Sequence, residues 1–331
     1  MFQKNIPIFF TFNDDYVVPA AVAFFSLLNR AKKDVFYHMF VLHHDITIQS
    51  QKLLQSVVGR FSNASLSFYD TQNFLGEKWV RGNFEDNNKN NKFTVDAVVR
   101  CFSSKFFPQY KKIIYSDVDV VFTDDISELW EIELEDSYIA GVRNFAMKYH
   151  SIELSHLKPE HYNVLKDTYI AGGIWVLNLE KIREDNLESK MQEILEDETI
   201  IKRWNDQDIM NIACNNKVKH IPLNYIAYPY MLSHLQLPDF VSHYSQEELW
   251  DSIINPKIIH YADQKPWKAN VRYSDLWWDI FYYLNLPKTH IFEESDSYLD
   301  KRINKYKNQR NIYIYLFIFS LFLFIISLAT N

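Results

Sequence analysis

Apolar and polar positions follow one another along the first 70 residues with two different periods. Residues 6–12, 36–43 and 65–69 are short apolar or alternating runs rich in aromatic and β-branched side chains, which predict strands. Residues 17–29 and 49–61 carry apolar side chains three and four positions apart, which predicts helices. The order strand, helix, strand, helix, strand, without an internal repeat, predicts a parallel α/β sheet.

The rest of the chain carries the same two patterns less regularly. We predict further helices over residues 94–106, 180–198 and 209–214, and further strands over residues 113–115, 138–142 and 169–179. Thr94 and Asp206 are the predicted N-caps. Residues 81–92 are polar and asparagine-rich, which predicts either a lid or a surface linker. Residues 143–168 are predicted to be irregular, with surface histidines at positions 150, 156 and 161.

The C-terminal residues 312–329 are apolar and carry no charge or proline, and eighteen such residues are just long enough to span a bilayer. Residues 300–310, directly before them, contain five lysines and arginines, which favour the cytoplasmic side and anionic lipid. We therefore expect a C-terminal hydrophobic helix that anchors the protein on the cytoplasmic side of the inner membrane. A buried helix and an in-plane or hairpin insertion are the alternatives.

Composition narrows the class of protein further. The 331 residues suffice for one large or two ordinary domains, and the formal net charge is −7. No broad basic face is present, which disfavours nucleic acid as a partner. Cys101 and Cys214 do not have the spacing of metal ligands, so we interpret both as reduced core thiols in a cytosolic compartment.

The stretch Lys111–Asp125 contains the strongest candidate chemistry. Asp117 and Asp119 stand one residue apart at the end of a predicted buried strand, where their side chains point to the same face. Two carboxylates held so close repel unless a cation lies between them or one is protonated. Oxygen ligands of this kind suit Mg²⁺ or Mn²⁺, and a solvated turn is the alternative interpretation. Asp124 and Asp125 are predicted to cap the turn that follows.

Two adjacent glycines, Gly172 and Gly173, lie inside the apolar run 169–179 of a chain with only six glycines. Glycine in a strand allows the close approach of a ligand or a neighbouring backbone, and a β-bulge explains it equally well.

Five separated motifs stand in an order that resembles glycosyltransferase family 8, retaining enzymes that build bacterial lipopolysaccharide and related glycans. They are Thr11–Tyr16, Arg100, Asp117-Val118-Asp119, Asp206-Gln207-Asp208 and His260 followed by Lys265-Pro266-Trp267. The resemblance runs from about residue 6 to about residue 268. It implies a single GT-A catalytic domain, a Rossmann-like mixed sheet flanked by helices. We expect this domain over residues 1–270, a helical and basic extension over 271–311, and the membrane anchor over 312–329.

The resemblance also implies roles for individual residues. Asp117, Asp119 and His260 would hold Mn²⁺ (or Mg²⁺), which bridges the diphosphate of a UDP-sugar. Asp206 and Gln207 would face the transferred sugar. The other implied donor contacts are Thr11, Asn13 and Tyr16 at uracil, Arg100 near diphosphate and sugar, Lys265 at the leaving diphosphate, and Val118 and Gly172 along the donor.

This chain departs from the family pattern at three places. Ala171 stands where the family commonly has a sugar-binding asparagine, and Val142-Arg143-Asn144 stands where many members carry an aspartate. Ala262-Asp263 replaces a glycine whose amide contacts phosphate. These departures leave the identity of the donor sugar open.

The expected function is transfer of glucose or galactose from UDP-glucose or UDP-galactose to a glycan or glycolipid acceptor such as lipopolysaccharide or lipooligosaccharide core. Gln207 is a neutral amide and a poor nucleophile, which favours same-face attack over a covalent intermediate. One alternative is a non-catalytic, membrane-tethered UDP-sugar-binding protein. Another is a metal-dependent nucleotidyltransferase, which would need a glycine-rich triphosphate loop that Thr11–Tyr16 does not provide.

Overall fold

Nine strands are found in the computed structural model, which describes residues 2–72, 95–145, 154, 156–237, 242–289 and 292. They are β1 (Lys4–Thr11), β2 (Val35–His43), β3 (Ala64–Asp70), β4 (Lys112–Ser116), β5 (Val120–Phe122), β6 (Ile139–Arg143), β7 (Ile170–Asn178), β8 (Val218–Ile221) and β9 (Ile258–His260). Seven of them form one sheet in the order β3-β2-β1-β4-β7-β6-β8, and β5 and β9 form a second, two-stranded sheet.

The helices cover both faces of the large sheet. They are α1 (Val17–Arg30), α2 (Ile48–Val58), α3 (Val95–Val99), α4 (Ser103–Phe106), α5 (Pro159–Leu165), α6 (Leu179–Glu184), α7 (Leu187–Glu196), α8 (Asp206–Cys214), α9 (Met231–Leu235), α10 (Gln246–Ile254) and α11 (Ser274–Leu284). Short 3₁₀ turns lie between them, including Arg100–Phe102 between α3 and α4.

The large sheet is mixed. Strands β1, β2, β3 and β4 run parallel, which confirms the parallel arrangement predicted for the first three strands. Strand β7 runs antiparallel to both β4 and β6, and β6 runs parallel to β8. Because β7 runs against β4, its glycine pair comes to lie beside the end of β4, where Asp117 N donates to Gly173 O over 3.0 Å.

Strand β1 shows how the core is divided between the two faces of the sheet. Ile8 and Phe10 point towards α1, and Phe9 points to the opposite face, as the two-residue period of a strand requires. There the ring of Phe9 packs 5.3 Å from that of Phe107 and 5.0 Å from that of Tyr115. Each such buried aromatic side chain contributes about 1.5–3 kcal/mol of hydrophobic stabilisation. Packing on both faces therefore stabilises the large sheet.

The small sheet joins the acidic turn after β4 to a distant part of the chain. Val120 of β5 pairs with His260 of β9, and Tyr261 N donates to Asp119 O over 2.9 Å. The buried tryptophans Trp277 and Trp278 of α11 pack against this sheet together with α1. Hydrophobic burial under the small sheet thus brings His260 next to the acid pair.

Several predicted elements differ from the structure. The predicted helix 94–106 is interrupted by the 3₁₀ turn at Arg100, and the predicted helix 180–198 is divided at Asn186, whose φ of 50° is left-handed. A helix, α5, forms within the region predicted to be irregular, with Pro159 in its first turn. Helix α8 begins at Asp206 itself, so Asp206 is not the N-cap; Asn205 holds that position.

Other predictions have mixed outcomes. Cys101 and Cys214 are buried, free thiols, as predicted. Asp125 accepts hydrogen bonds from the amide and hydroxyl of Ser127, the first residue of the 3₁₀ turn Ser127–Glu131, but Ile126 and not Asp125 holds the N-cap position. Thr94, the loop 81–92 and residues 312–329 lie outside the described residues. Within the ranges described, no helix is both long and apolar enough to cross a bilayer.

Candidate active site

Two carboxylates and one imidazole meet at the end of β4. His260 Nε2 lies 3.2 Å from Asp117 Oδ2 and 3.2 Å from Asp119 Oδ1. One ligand atom of each residue lies within 4.8 Å of the others. The three residues predicted to hold a metal are therefore brought together, although His260 is far along the chain from the two aspartates.

The cluster fits a divalent cation by its chemistry. Two carboxylate oxygens and one imidazole nitrogen are a donor set that suits Mn²⁺ or Mg²⁺ with open positions for phosphate. Gly173 leaves the space that the His260 ring occupies, because a Cβ on Gly173 would lie 2.7 Å from His260 Cε1. The adjacent glycines therefore permit a close approach by side chains. The register shift in the β6–β7 ladder falls at the same glycines, because Gly141 pairs with Trp175 and Arg143 with Ile170, so residues 171–174 of β7 lie opposite Val142 alone. Close approach and irregular strand pairing therefore both apply to the glycine pair.

Three cations balance the acids of the site. Burial alone would raise the pKa of Asp117, but Arg100 and His260 hold it below its usual value. The pKa of Asp119 is likewise lowered against the effect of burial, by Lys265 and His260. Burial alone would lower the pKa of His260, but Asp119 and Asp117 raise it to about 9. The repulsion expected between the two carboxylates is thus offset by the protein's own positive groups.

Lys265 contacts Asp119 directly. Its ammonium group forms an ion pair with Asp119 Oδ2 and donates to the carbonyl oxygens of Tyr261, at 2.7 Å, and Ala262, at 2.9 Å. These bonds hold Lys265 beside Asp119 and His260.

Arg100 is buried and links the acidic strand to α8. Its Nη1 donates to Asp117 Oδ1 at 2.8 Å and to Gly172 O at 3.3 Å, and its Nη2 forms an ion pair with Asp206. The guanidinium carbon lies 4.9 Å from the ring centres of Tyr115 and Trp175. Burial raises the pKa of Asp206 to about 6, against the effect of Arg100.

A cavity of about 280 Å³ opens beside the acid pair. Its lining includes the predicted donor-binding residues Thr11, Asn13, Tyr16, Arg100, Asp117 and Val118. They come from the end of β1, from the α3–α4 region and from the turn after β4, so the sheet topology brings three separate motifs to one cavity.

Gln207 lies next to Gly172 and is not among the described residues that line the cavity. A Cβ on Gly172 would lie 3.2 Å from Gln207 Oε1 and 3.6 Å from Arg100 Nη2. Gly172 therefore allows the close packing of two predicted site residues. The side-chain nitrogen of Gln207 donates to the hydroxyl of Tyr169 over 3.2 Å.

Sequence reasoning missed several residues around the site. Asp96 lines the cavity and bonds to His44, whose Nδ1 lies 3.0 Å from Asp96 Oδ1. The only sequence signal was an acid among the valines of a predicted helix. His156 was predicted to be a surface histidine, which is wrong, because its side chain is 7% exposed and bonds to Asp208.

Comparisons with known proteins identify the family of the chain. The chain matches the family model described as Glycosyl transferase family 8 over residues 7–271. It is 25% identical over 216 residues to a putative glycosyltransferase of Haemophilus influenzae, covering 63% of this chain but only 59% of that protein. It is 26% identical over 278 residues to the lipopolysaccharide 1,2-glucosyltransferase of Escherichia coli, covering 81% of this chain and 76% of that protein.

A solved structure shows the fold independently. The galactosyltransferase LgtC, in complex with donor and acceptor sugar analogues, is similar to this chain with a TM-score of 0.66 and 17% identity, over 87% of this chain and 100% of that one. The mixed sheet flanked by helices is therefore a GT-A-like fold. Since the family model covers most of the chain, from β1 to just beyond Trp267, this protein belongs to glycosyltransferase family 8.

Proposed function

We propose that this protein transfers a hexose, glucose or galactose, from a UDP-sugar to a glycan acceptor with retention of configuration at the anomeric carbon. The observation that carries this proposal is the meeting of Asp117, Asp119 and His260 beside the cavity lined by Thr11, Asn13 and Tyr16. A cation site next to a nucleoside-sized cavity is the arrangement that a nucleotide diphosphate sugar requires.

Asp117, Asp119 and His260 would hold Mn²⁺ or Mg²⁺, which when bound supplies positive charge to the leaving diphosphate. The protein's own residues do the rest. Tyr16 stacks on uracil, and Thr11 and Asn13 bind its edge. Val118 and Gly172 border the donor. Lys265 adds positive charge where the phosphate departs, and Arg100 orients Asp117 and Asp206.

The proposed chemistry is a same-face substitution. The bond between the anomeric carbon and the phosphate oxygen breaks, and the acceptor hydroxyl attacks the anomeric carbon from the same side. The departing phosphate oxygen takes the proton of that hydroxyl. Gln207 and Asp206 stabilise the oxocarbenium-like sugar, and Gln207, a neutral amide, is a poor nucleophile for a covalent step.

The proposed acceptor is supported by a relative, and the proposed location rests on the tail. The Escherichia coli relative is named for lipopolysaccharide, which supports a lipopolysaccharide or lipooligosaccharide core as acceptor here. We propose that residues 1–270 form the catalytic domain, 271–311 a helical and basic extension, and 312–329 an anchor at the cytoplasmic side of the inner membrane. A glycolipid acceptor at the inner leaflet would then be within reach.

Substitution of Asp119 tests the proposal. In Asp119→Asn the cluster loses a charged ligand, and we expect transfer from UDP-glucose or UDP-galactose to fall by about 10²-fold or more, with the fold intact. The matched control is Asp124→Asn, an exposed acid of the same stretch, which should leave transfer unchanged. Transfer by both variants is measured with a panel of UDP-sugars and Mn²⁺, and circular dichroism checks that each variant is folded. Full transfer by Asp119→Asn in the presence of a chelator would refute the metal role.

One observation favours a second function. Ala171 is buried in the hydrophobic core, and Arg143 lies 3.5 Å from Asp167, so two positions that bind sugar in many family members do not offer the usual groups. A non-catalytic UDP-sugar-binding protein would bind UDP with Mn²⁺ and show no turnover with any donor of the panel.

A further inference from the structure

A chain of hydrogen bonds runs behind Gln207, away from the donor cavity. Gln207 Nε2 donates to the hydroxyl of Tyr169 at 3.2 Å, and this hydroxyl donates to Asp208 Oδ1 at 2.6 Å. Asp208 Oδ2 accepts from the backbone amide of Trp204 at 2.8 Å and lies 3.0 Å from His156 Nε2. Tyr169, Asp208 and His156 are not among the described residues that line the cavity.

The bonds that lead from the Trp204 amide through Asp208 and Tyr169 to Gln207 have defined donors and acceptors. A backbone amide can only donate, and an ionised carboxylate can only accept. Asp208 therefore accepts from Trp204 and also from Tyr169, whose hydroxyl must supply its proton to Asp208. Burial, followed by the charge of Asp208, raises the pKa of Tyr169 well above its ordinary value, so the hydroxyl keeps that proton.

Gln207 is the residue that this direction orients. Because the Tyr169 hydrogen is engaged with Asp208, only its oxygen lone pairs face Gln207, and these bind the amide nitrogen. The amide oxygen Oε1 then lies on the Gly172 and Arg100 side. An amide oxygen carries partial negative charge and its N–H group partial positive charge, so the orientation decides the sign of the charge presented to the site.

We propose that Tyr169, Asp208 and His156 are positioning residues that hold Gln207 with Oε1 towards the donor sugar. The inference rests on the proposed function, in which Gln207 stabilises a positively charged sugar. A reversed amide would present N–H groups to that charge and would raise the barrier to transfer without affecting the binding of UDP.

Asp208→Asn is the informative substitution, because it keeps the volume of the side chain and reverses the bonds. The Trp204 amide still needs an acceptor, so the new carboxamide oxygen faces Trp204 and its NH₂ group faces Tyr169. Tyr169 then accepts from position 208 and donates towards Gln207, which must turn Oε1 to Tyr169. We expect kcat to fall about tenfold or more, with the KM for the UDP-sugar within about twofold.

Combining Asp208→Asn with Tyr169→Phe distinguishes a positioning role of Asp208 from a general structural role. Removal of the hydroxyl leaves the Gln207 amide without its orienting partner, so kcat falls and KM stays. In the double variant the Tyr169 hydroxyl is missing, so the exchange of donor and acceptor at position 208 cannot change the orientation of Gln207. The further loss of kcat caused by Asp208→Asn should therefore be absent in the Tyr169→Phe background.

The outcomes are distinct. An equal loss of kcat from Asp208→Asn in both backgrounds would overturn the proposal, and so would an unchanged kcat in Tyr169→Phe. If Asp208→Asn does not fold, as judged by urea unfolding, the kcat and KM of Tyr169→Phe decide the question. Calorimetric binding of UDP with Mn²⁺ should be the same in all folded variants. Wild-type protein without transfer from any UDP-sugar would instead refute the proposed function.

Discussion

Gly173 has no side chain, and this leaves room for the His260 ring of the metal cluster. The imidazole lies against the backbone of β7 at a place where any Cβ would overlap it. His260 is 5% exposed and is enclosed by the small sheet, so the ring has little room to move away. The position of the imidazole, and with it the 3.2 Å contacts to both acids, therefore depends on glycine at position 173.

We expect Gly173→Ala to weaken Mn²⁺ binding by about tenfold or more, because the ring must shift away from the acids. Overpacking should also lower the free energy of unfolding by about 1–3 kcal/mol. The control is Gly141→Ala on β6, where a Cβ would lie 3.0 Å from Ile170 Cδ1, away from the metal cluster. It should lower the free energy of unfolding by no more than Gly173→Ala, because its Cβ contacts are longer, and it should leave Mn²⁺ affinity, measured by calorimetry, unchanged. Equal affinities of Gly173→Ala and wild type would contradict this account.

Among secondary-structure elements, α8 and β7 are joined in part by one buried side-chain amide, that of Asn211. Asn211 Oδ1 accepts from Ile170 N at 2.8 Å, and its Nδ2 donates to Ile170 O at 3.0 Å and Gln207 O at 2.8 Å. Ile170 stands at the start of β7, where the pairing with β6 is irregular. The side chain of Asn211 satisfies backbone groups there, and it ties the helix of Gln207 to the strand of the glycine pair.

Asn211→Ala leaves the buried amide and carbonyl of Ile170 without these partners, and each unsatisfied buried group costs about 1–3 kcal/mol. We expect the free energy of unfolding, measured with urea, to fall by at least about 2 kcal/mol. Asn163→Ala, an exposed position on α5, is the control and should change stability by less than about 0.5 kcal/mol. Equal unfolding free energies of the two variants would show that the Asn211 bridge is not needed.

Local pattern predicted the first five elements well and the middle of the chain less well. The runs before residue 70 have clear periods because each element packs one continuous face. At Arg100 the helix tightens into a 3₁₀ turn, and the guanidinium is buried between Asp117 and Asp206. Local sequence gives no sign of this burial, because Asp117 and Asp206 lie farther along the chain than the helical pattern around Arg100 reaches.

On the scale of the whole molecule, the catalytic body and the tail have separate tasks in our proposal. The body places the metal cluster (Asp117, Asp119 and His260) and the cavity at one edge of the sheet, where β1 and β4 end. The apolar residues 312–329 and the basic residues before them would hold that body at an anionic membrane surface. Catalysis and anchoring can then be separated by experiment.

Deletion of residues 312–331 should abolish sedimentation with anionic phospholipid vesicles, since eighteen apolar residues supply the proposed insertion. Transfer to a water-soluble acceptor should stay within about twofold of the full chain, because the deleted residues are remote in sequence from every predicted site residue. Substitution of the five basic residues of 300–310 by glutamine should weaken binding to anionic vesicles more than to neutral ones. A deletion variant that still sediments would place the membrane contact on the basic residues 300–310 or on the body.

By itself, the sequence determined the strands and helices near the N-terminus and the chemical types of the site residues, because both depend on short stretches of chain. Asp117 and Asp119 share a strand end through backbone geometry alone. Only the tertiary structure decided which distant groups reach them. His260 arrives through the packing of the small sheet, and Arg100 through burial beside Tyr115 and Trp175. The hydrogen bonds behind Gln207 form between α8 and Tyr169, the residue before β7. Contacts of this kind depend on the burial of side chains far apart in sequence, which local pattern does not encode.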